Sequence, residues 1–214
     1  MASENKTTRT VRRRYDRIAP VYDAMEGLVE RSRYGQWRRL LWSKVEGDKI
    51  LEIGVGTGKN FPYYPAGVEM TAIDFSEKML QRAGAKARRE GVKVSLRQMD
   101  VQNLEFADGT FDTVVGSFVF CSVPDPLRGL KEVERVTRPG GKMVLLEHVL
   151  SSNRIVAWLM NLVNPLVRTM GPNINRRTVD NVASSGLIVE HVTGLSMGIF
   201  KLIEARKAKA GLVG

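Results

Sequence analysis

The chain has 214 residues, ordinary apolar and charged fractions and a formal net charge of +10. That length suits one domain with at most a modest appendage, and a single cysteine, Cys121, with two histidines excludes a disulfide framework or a Cys/His metal cluster. The charged N-terminus and the lack of an apolar run of about 20 residues predict a cytoplasmic chain that is neither secreted nor transmembrane. The surplus positive charge suits anionic surfaces, acidic headgroups and nucleic acid alike.

The first eight residues are polar and expected to be disordered. Beyond them Val11, Tyr15, Ile18, Tyr22, Met25 and Val29 recur at steps of four and three, with Arg12, Arg13 and Arg17 off the stripe. This spacing predicts a basic amphipathic helix, kinked or divided at Pro20. Residues 1–47 are thus expected to form a helical lid packed on the core, and anchoring to an anionic membrane surface through the three arginines is the sharper alternative. A second helix, about Tyr34 to Val45, carries Trp37, Leu40, Leu41 and Trp42.

Ile50, Leu51 and Ile53 make a short apolar strand that stops at Gly54, Gly56 and Gly58. Glycine turns the chain tightly and lets a ligand approach the main chain, here expected at the head of a following helix. A second strand, Val68 to Ile73, ends at Asp74, where a carboxylate can accept hydrogen bonds from ribose hydroxyls. Counting from Gly54, the sixth position is Lys59, so the dinucleotide fingerprint fails; Lys59-Asn60 after Gly58 also fails the phosphate-loop rule.

Glu52-x-Gly54-x-Gly56-x-Gly58 with the acidic strand end at Asp74 resembles motif I of class I S-adenosylmethionine-dependent methyltransferases. Ser76 caps a predicted helix over Glu77 to Glu90 that Gly91 ends. A third strand, Val94 to Gln98, leads to Asp100 and Val101, which resemble the positions that meet the adenine amino group and ring. The strand from Phe111 to Phe118, followed by Asp125-Pro126 as helix cap, resembles motif IV. Arg138-Pro139-Gly140-Gly141-Lys142 reads as the turn into a fifth strand, Met143 to Val149. The tail carries an apolar helical insert, about 151–185, broken by Pro165, and then two strands joined at Ser196-Met197-Gly198.

Strands alternating with helices predict an α/β parallel sheet with helices on both faces, and the resemblance implies a Rossmann-like, seven-stranded methyltransferase fold over 48–214 with an antiparallel final strand. The chain looks like the methyltransferase type 11 and quinone methyltransferase-like group, and within it bacterial phospholipid N-methyltransferases and thiol methyltransferase-like proteins. The words Tyr15-Asp16-x-x-Ala19-x-x-Tyr22-Asp23 carry part of that likeness. It implies S-adenosyl-L-methionine as cofactor, held by Glu52, Gly54, Val55, Gly56, Gly58, Asp74, Phe75, Met79, Asp100, Val101 and Ser117, with Tyr15 and Tyr22 closing over it.

His148, Glu147, Tyr15 and Tyr22 are the candidate bases at the mouth; the competing reading makes His148 a wall residue. Cys121 lacks the preceding proline of cytosine C5 enzymes and is expected to be a buried thiol. The acceptor is expected to be amphiphilic or a lipid, such as the amine of phosphatidylethanolamine, with a small thiol or a quinone precursor as alternatives. Ser117-Phe118-Val119-Phe120 replaces the word that grips a flipped adenine, which argues against nucleic acid.

Overall fold

The computed structural model describes residues 8–17, 34–151, 153–170, 173–196 and 198–209. Tyr22, Pro20 and the stripe beyond residue 17 up to residue 33 lie outside them, as do the first seven residues. Seven strands form one sheet: β1 (Lys49–Ile53), β2 (Glu69–Asp74), β3 (Ser95–Gln98), β4 (Phe111–Ser117), β5 (Thr137–His148), β6 (Ile188–Ser196) and β7 (Phe200–Arg206). Their order is β3-β2-β1-β4-β5-β7-β6. Pairings from β3 to β5 are parallel, and β7 runs antiparallel to both β5 and β6.

The buried runs on β1, β2 and β4 explain this arrangement, since such strands need cover on both faces. One face packs against α4 (Pro126–Val136) and α6 (Thr178–Ala183), with Leu130, Val133 and Val182 fully buried beside Leu51, Val114 and Leu145. The other receives α2 (Gly35–Trp42), whose Leu41 and Trp42 pack with Ile50, Val115 and Val144. α2 is therefore part of the core rather than of a lid. Within the expected lid, the described helix over residues 8–17, α1, lies over the strand ends. α3 (Glu77–Glu90) has the expected caps, Ser76 Oγ accepting from the Met79 amide and Gly91 left-handed.

Three local expectations change. The glycine loop is followed by a single 3₁₀ turn, Phe61–Tyr63, because Pro62 and Pro65 interrupt the segment, so no α-helix begins there. The Pro-Gly-Gly word is not a clean turn. β5 begins at Thr137, and its register against β4 passes from Phe111↔Thr137 to Thr113↔Lys142, so residues 138–141 bulge outward. α5 (Arg154–Met170) runs through Pro165 without ending. A proline can sit inside a helix where the freed carbonyl meets another donor or solvent.

Glu147 determines how the chain leaves β4. Its side chain is fully buried, and Oε1 accepts from the amides of Val119 at 2.8 Å and Phe120 at 3.0 Å. Phe118, just before them, is the one described non-glycine residue with a left-handed backbone, at φ 58°. The carboxylate thus fixes a strained exit from the strand, and Glu147 is not at the cavity mouth as the sequence suggested. The alternation of β5 turns it inward.

Burial, opposed by those amide hydrogen bonds, pushes the Glu147 carboxyl up to about 7. A carboxyl whose folded pKa exceeds its unfolded value stabilises the fold at low pH and loses that contribution as pH rises through the folded value. Between about pH 5 and 8 the wild type should therefore lose more stability than Glu147→Gln, as read by denaturant melts at each pH. Parallel pH profiles would contradict the assignment. Glu147→Ala, leaving two amides unpaired, should cost about 1–3 kcal/mol at pH 5.

Candidate functional site

A cavity lies at the carboxyl ends of β1, β2 and β4, where a doubly wound sheet places its ligands. Gly54, Gly56, Asp74, Phe75, Met79, Asp100, Val101, Ser117 and Tyr15 line it, so nine of the residues expected from sequence to hold the cofactor come together. Gly54 and Gly56 both have left-handed backbones, at φ 64° and 55°. A Cβ at Gly56 would meet no protein atom within 4 Å and would project into open space, whereas one at Gly54 would strike Val119 at 2.7 Å.

Asp74 ties the parts together. One carboxylate oxygen accepts from the Gly56 amide at 2.9 Å and the other from the Ser76 amide at 2.9 Å, joining the glycine loop to the start of α3. Burial raises its pKa to about 6, against the lowering effect of these bonds, and Asp16 of α1 raises it further. Asp16 is close because its Oδ1 accepts from Ser76 Oγ at 2.5 Å. α1 is held at three more points: Tyr15 shares a 2.5 Å hydrogen bond with Ser122, its ring meets Phe75 edge-on at 5.7 Å, and Thr8 accepts from Gln102 at 3.3 Å. Val11 is buried, while Arg13 and Arg17 are exposed. The apolar face of the described part of α1 is therefore turned toward the site.

Three expected ligand contacts are placed elsewhere. Glu52 is fully buried beneath the loop, where it accepts from Asn60 Nδ2 at 2.5 Å and from the Tyr64 hydroxyl. Burial raises it to about 6 despite those bonds. Val55 packs with Phe61, Ala72 and Ala83, and Gly58 is required because a Cβ would lie 2.4 Å from the Phe61 ring. These residues shape the loop from behind. Arg38 of α2, which the sequence did not single out, is 4% exposed and donates to Asn60 Oδ1 at 2.8 Å and Ser117 Oγ at 2.9 Å. Only a tertiary contact reveals it.

Asp100 accepts from the Gln102 amide and side chain at 2.9–3.1 Å, which fixes both residues at the cavity wall. His148 does not line the cavity. It is partly buried, its ring meets Phe200 edge-on at 5.0 Å, and Nδ1 is buried without a partner. Burial holds its pKa below the ordinary value, opposed by a hydrogen bond with the Ile174 backbone. Tyr34, Trp37 and Phe118 complete an aromatic cluster with Phe200. The Cys121 thiol is buried and raised to about 12, chiefly by desolvation, and so is inert as a nucleophile.

These residues fit an adenosyl group. The cavity combines a buried two-oxygen acceptor, a glycine open to a close-lying ligand, and apolar walls from Phe75, Met79 and Val101 beside Asp100. Comparison with known proteins agrees. The methyltransferase-domain family matches residues 51–145. A phosphatidylethanolamine N-methyltransferase of Cereibacter sphaeroides is 43% identical over 140 residues, covering 64% of this chain and 68% of that protein. A demethylmenaquinone methyltransferase of Paenarthrobacter aurescens is 33% identical over 184 residues, covering 84% and 70%. In fold, a solved S-adenosylmethionine-dependent methyltransferase from Thermotoga maritima superposes with a TM-score of 0.69 at 22% identity, over 91% of this chain and 99% of that one. Sequence, topology and site together show that the chain belongs to the S-adenosylmethionine-dependent methyltransferases, enzymes whose cofactor is S-adenosylmethionine.

Proposed function

We propose that this methyltransferase acts on the amine of an amphiphilic acceptor of the phosphatidylethanolamine kind. The observation that carries the reading is the 43% identity to a phosphatidylethanolamine N-methyltransferase. A quinone-precursor carbon is the second reading, favoured by the longer but weaker match to a demethylmenaquinone methyltransferase.

In the proposed arrangement Asp74 accepts hydrogen bonds from the ribose hydroxyls, Gly54 and Gly56 let the ligand lie against the loop, and Asp100 with Val101 receives the adenine. The bound cofactor supplies a methyl group already activated by its sulfonium. The protein's task is then to align the acceptor and exclude water. Tyr15 and Thr8 on α1 line the cavity and are tied to Ser122 and Gln102, which line it too. An amine attacks in its neutral form, and His148, set behind the cavity-lining Phe118 with Phe200 between them, supports that wall rather than reaching the acceptor.

Gly56→Val should abolish S-adenosylhomocysteine binding, since it places a side chain in the cavity on a left-handed backbone. Asp74→Ala should weaken binding by roughly 1.5–3 kcal/mol, the scale of a charge-assisted hydrogen bond. Calorimetry on the folded variants checks both, and unchanged affinity in the pair would remove the assignment. His148→Ala should leave that affinity within a few-fold and the pH dependence of turnover unchanged, as a wall residue requires; turnover that is lost and no longer varies across neutral pH would restore the imidazole as the base. Product mass spectrometry with labelled S-adenosylmethionine and a panel of phosphatidylethanolamine, demethylated quinone and alkyl thiol tests the acceptor. Methyl incorporation into the quinone alone would reverse the order of the two readings.

A further inference from the structure

α5 presents an apolar face that nothing in the described fold covers. Ile155, Trp158, Leu159, Leu162 and Val163 are 72%, 63%, 48%, 65% and 45% exposed, although the opposite side of the helix buries Met160. They fall at i, i+3, i+4, i+7 and i+8, which gathers them into one stripe. Five of the seven large apolar side chains exposed among the described residues are in this one helix. A stripe of this kind marks an interaction surface rather than scattered surface hydrophobes.

Its chemistry selects the partner. The α5 sequence contains no acidic residue, and exposed Arg154 and Arg177 stand at its start and just beyond the link that follows it. At 17 residues it is about 25 Å long, and no described helix is long and apolar enough to cross a membrane. A helix with an apolar stripe, an exposed tryptophan within it, flanking arginines and insufficient length to span suits the plane of an anionic bilayer surface.

The helix is also coupled to the site. The link after it returns to the segment walling the cavity: the Asn173 amide donates to the Cys121 carbonyl at 2.8 Å, and Arg176 Nη2 donates to the Val123 carbonyl at 3.0 Å. Asn164 on the inner face of α5 accepts from the Ile174 amide at 2.9 Å, binding helix and link into one unit. We propose that α5 is an interfacial helix that seats its exposed stripe in an anionic bilayer surface and so holds the neighbouring cavity at the membrane. This deepens the lipid-acceptor reading and rests on it for its purpose, but it is tested separately.

The test uses the full chain, phosphatidylcholine vesicles with and without phosphatidylglycerol, and the double variant Trp158→Glu/Leu162→Glu. Both positions are exposed, so melting temperature and S-adenosylhomocysteine affinity should stay close to wild type. Removing two inserted apolar side chains should lower partitioning onto anionic vesicles by roughly a hundredfold. Arg12→Gln/Arg13→Gln/Arg17→Gln should lower it less. Undiminished partitioning of the α5 variant overturns the inference, as does release by the arginine triple alone. A wild-type dimer that the α5 variant dissociates, with no difference in vesicle binding, would also overturn it by making a second copy the occupant. Short-chain phosphatidylethanolamine, presented as monomers, separates the two claims. Wild type that partitions but never methylates it refutes the acceptor while sparing α5; methylation without partitioning does the reverse.

Discussion

One buried carboxylate organises the functional end of this fold. Asp74 spends one oxygen on the Gly56 amide and the other on the Ser76 amide, so the loop after β1 and the helix after β2 are held in one relation. Neither segment would be fixed by the sheet alone, because the loop has no helix behind it and α3 begins only at its cap. The same serine reaches Asp16, which draws α1 over the cavity. A single acidic strand end thus couples the loop, the first turn of α3 and the cover, and its pKa is raised by its burial there, against the lowering effect of those amide hydrogen bonds.

A second layer of buried polar groups supports the loop from beneath. Glu52, Asn60, Tyr64, Arg38 and Ser117 form one hydrogen-bonded set between β1, β4 and α2. Buried polar groups of this sort are stable only when satisfied, and here most partners come from distant sequence. Glu147 plays the matching role at the end of β4. Both glutamates shape backbone rather than touch the cavity, which separates the residues that build the site from those that face it.

Much of this was legible in the sequence, because the signals were local. The glycine spacing, the acidic end of β2, the Ser76 and Gly91 caps and Asp125-Pro126 each specify a backbone event from adjacent residues; a parallel sheet with helices on both faces followed from alternation, and the antiparallel final strand from the family resemblance. What failed was orientation. Glu147 and His148 are consecutive on β5, so they point to opposite faces; with both faces of the sheet covered, hydrophobic alternation gives no anchor for whether either meets the cavity, and neither does. Glu52 was misplaced for the same reason. Arg38 carries no local signal in the sequence, because its partners Asn60 and Ser117 lie far along the chain. α5 read as an apolar insert, but sequence periodicity cannot say which side of a helix lacks a neighbour.

The proposed role of Asp74 has a direct thermodynamic signature. Burial pushes its carboxyl up to about 6, and only the ionised form offers both oxygens as acceptors to ribose hydroxyls while still holding Gly56 and Ser76. Calorimetric affinity for S-adenosylhomocysteine, measured from pH 5 to pH 8 on wild type and Asp74→Asn, is the most direct measurement. The account predicts that wild-type affinity rises through about pH 6 to a plateau, while the asparagine variant is weaker and nearly flat across the range. Wild-type affinity independent of pH, or the same rise in Asp74→Asn, would contradict it.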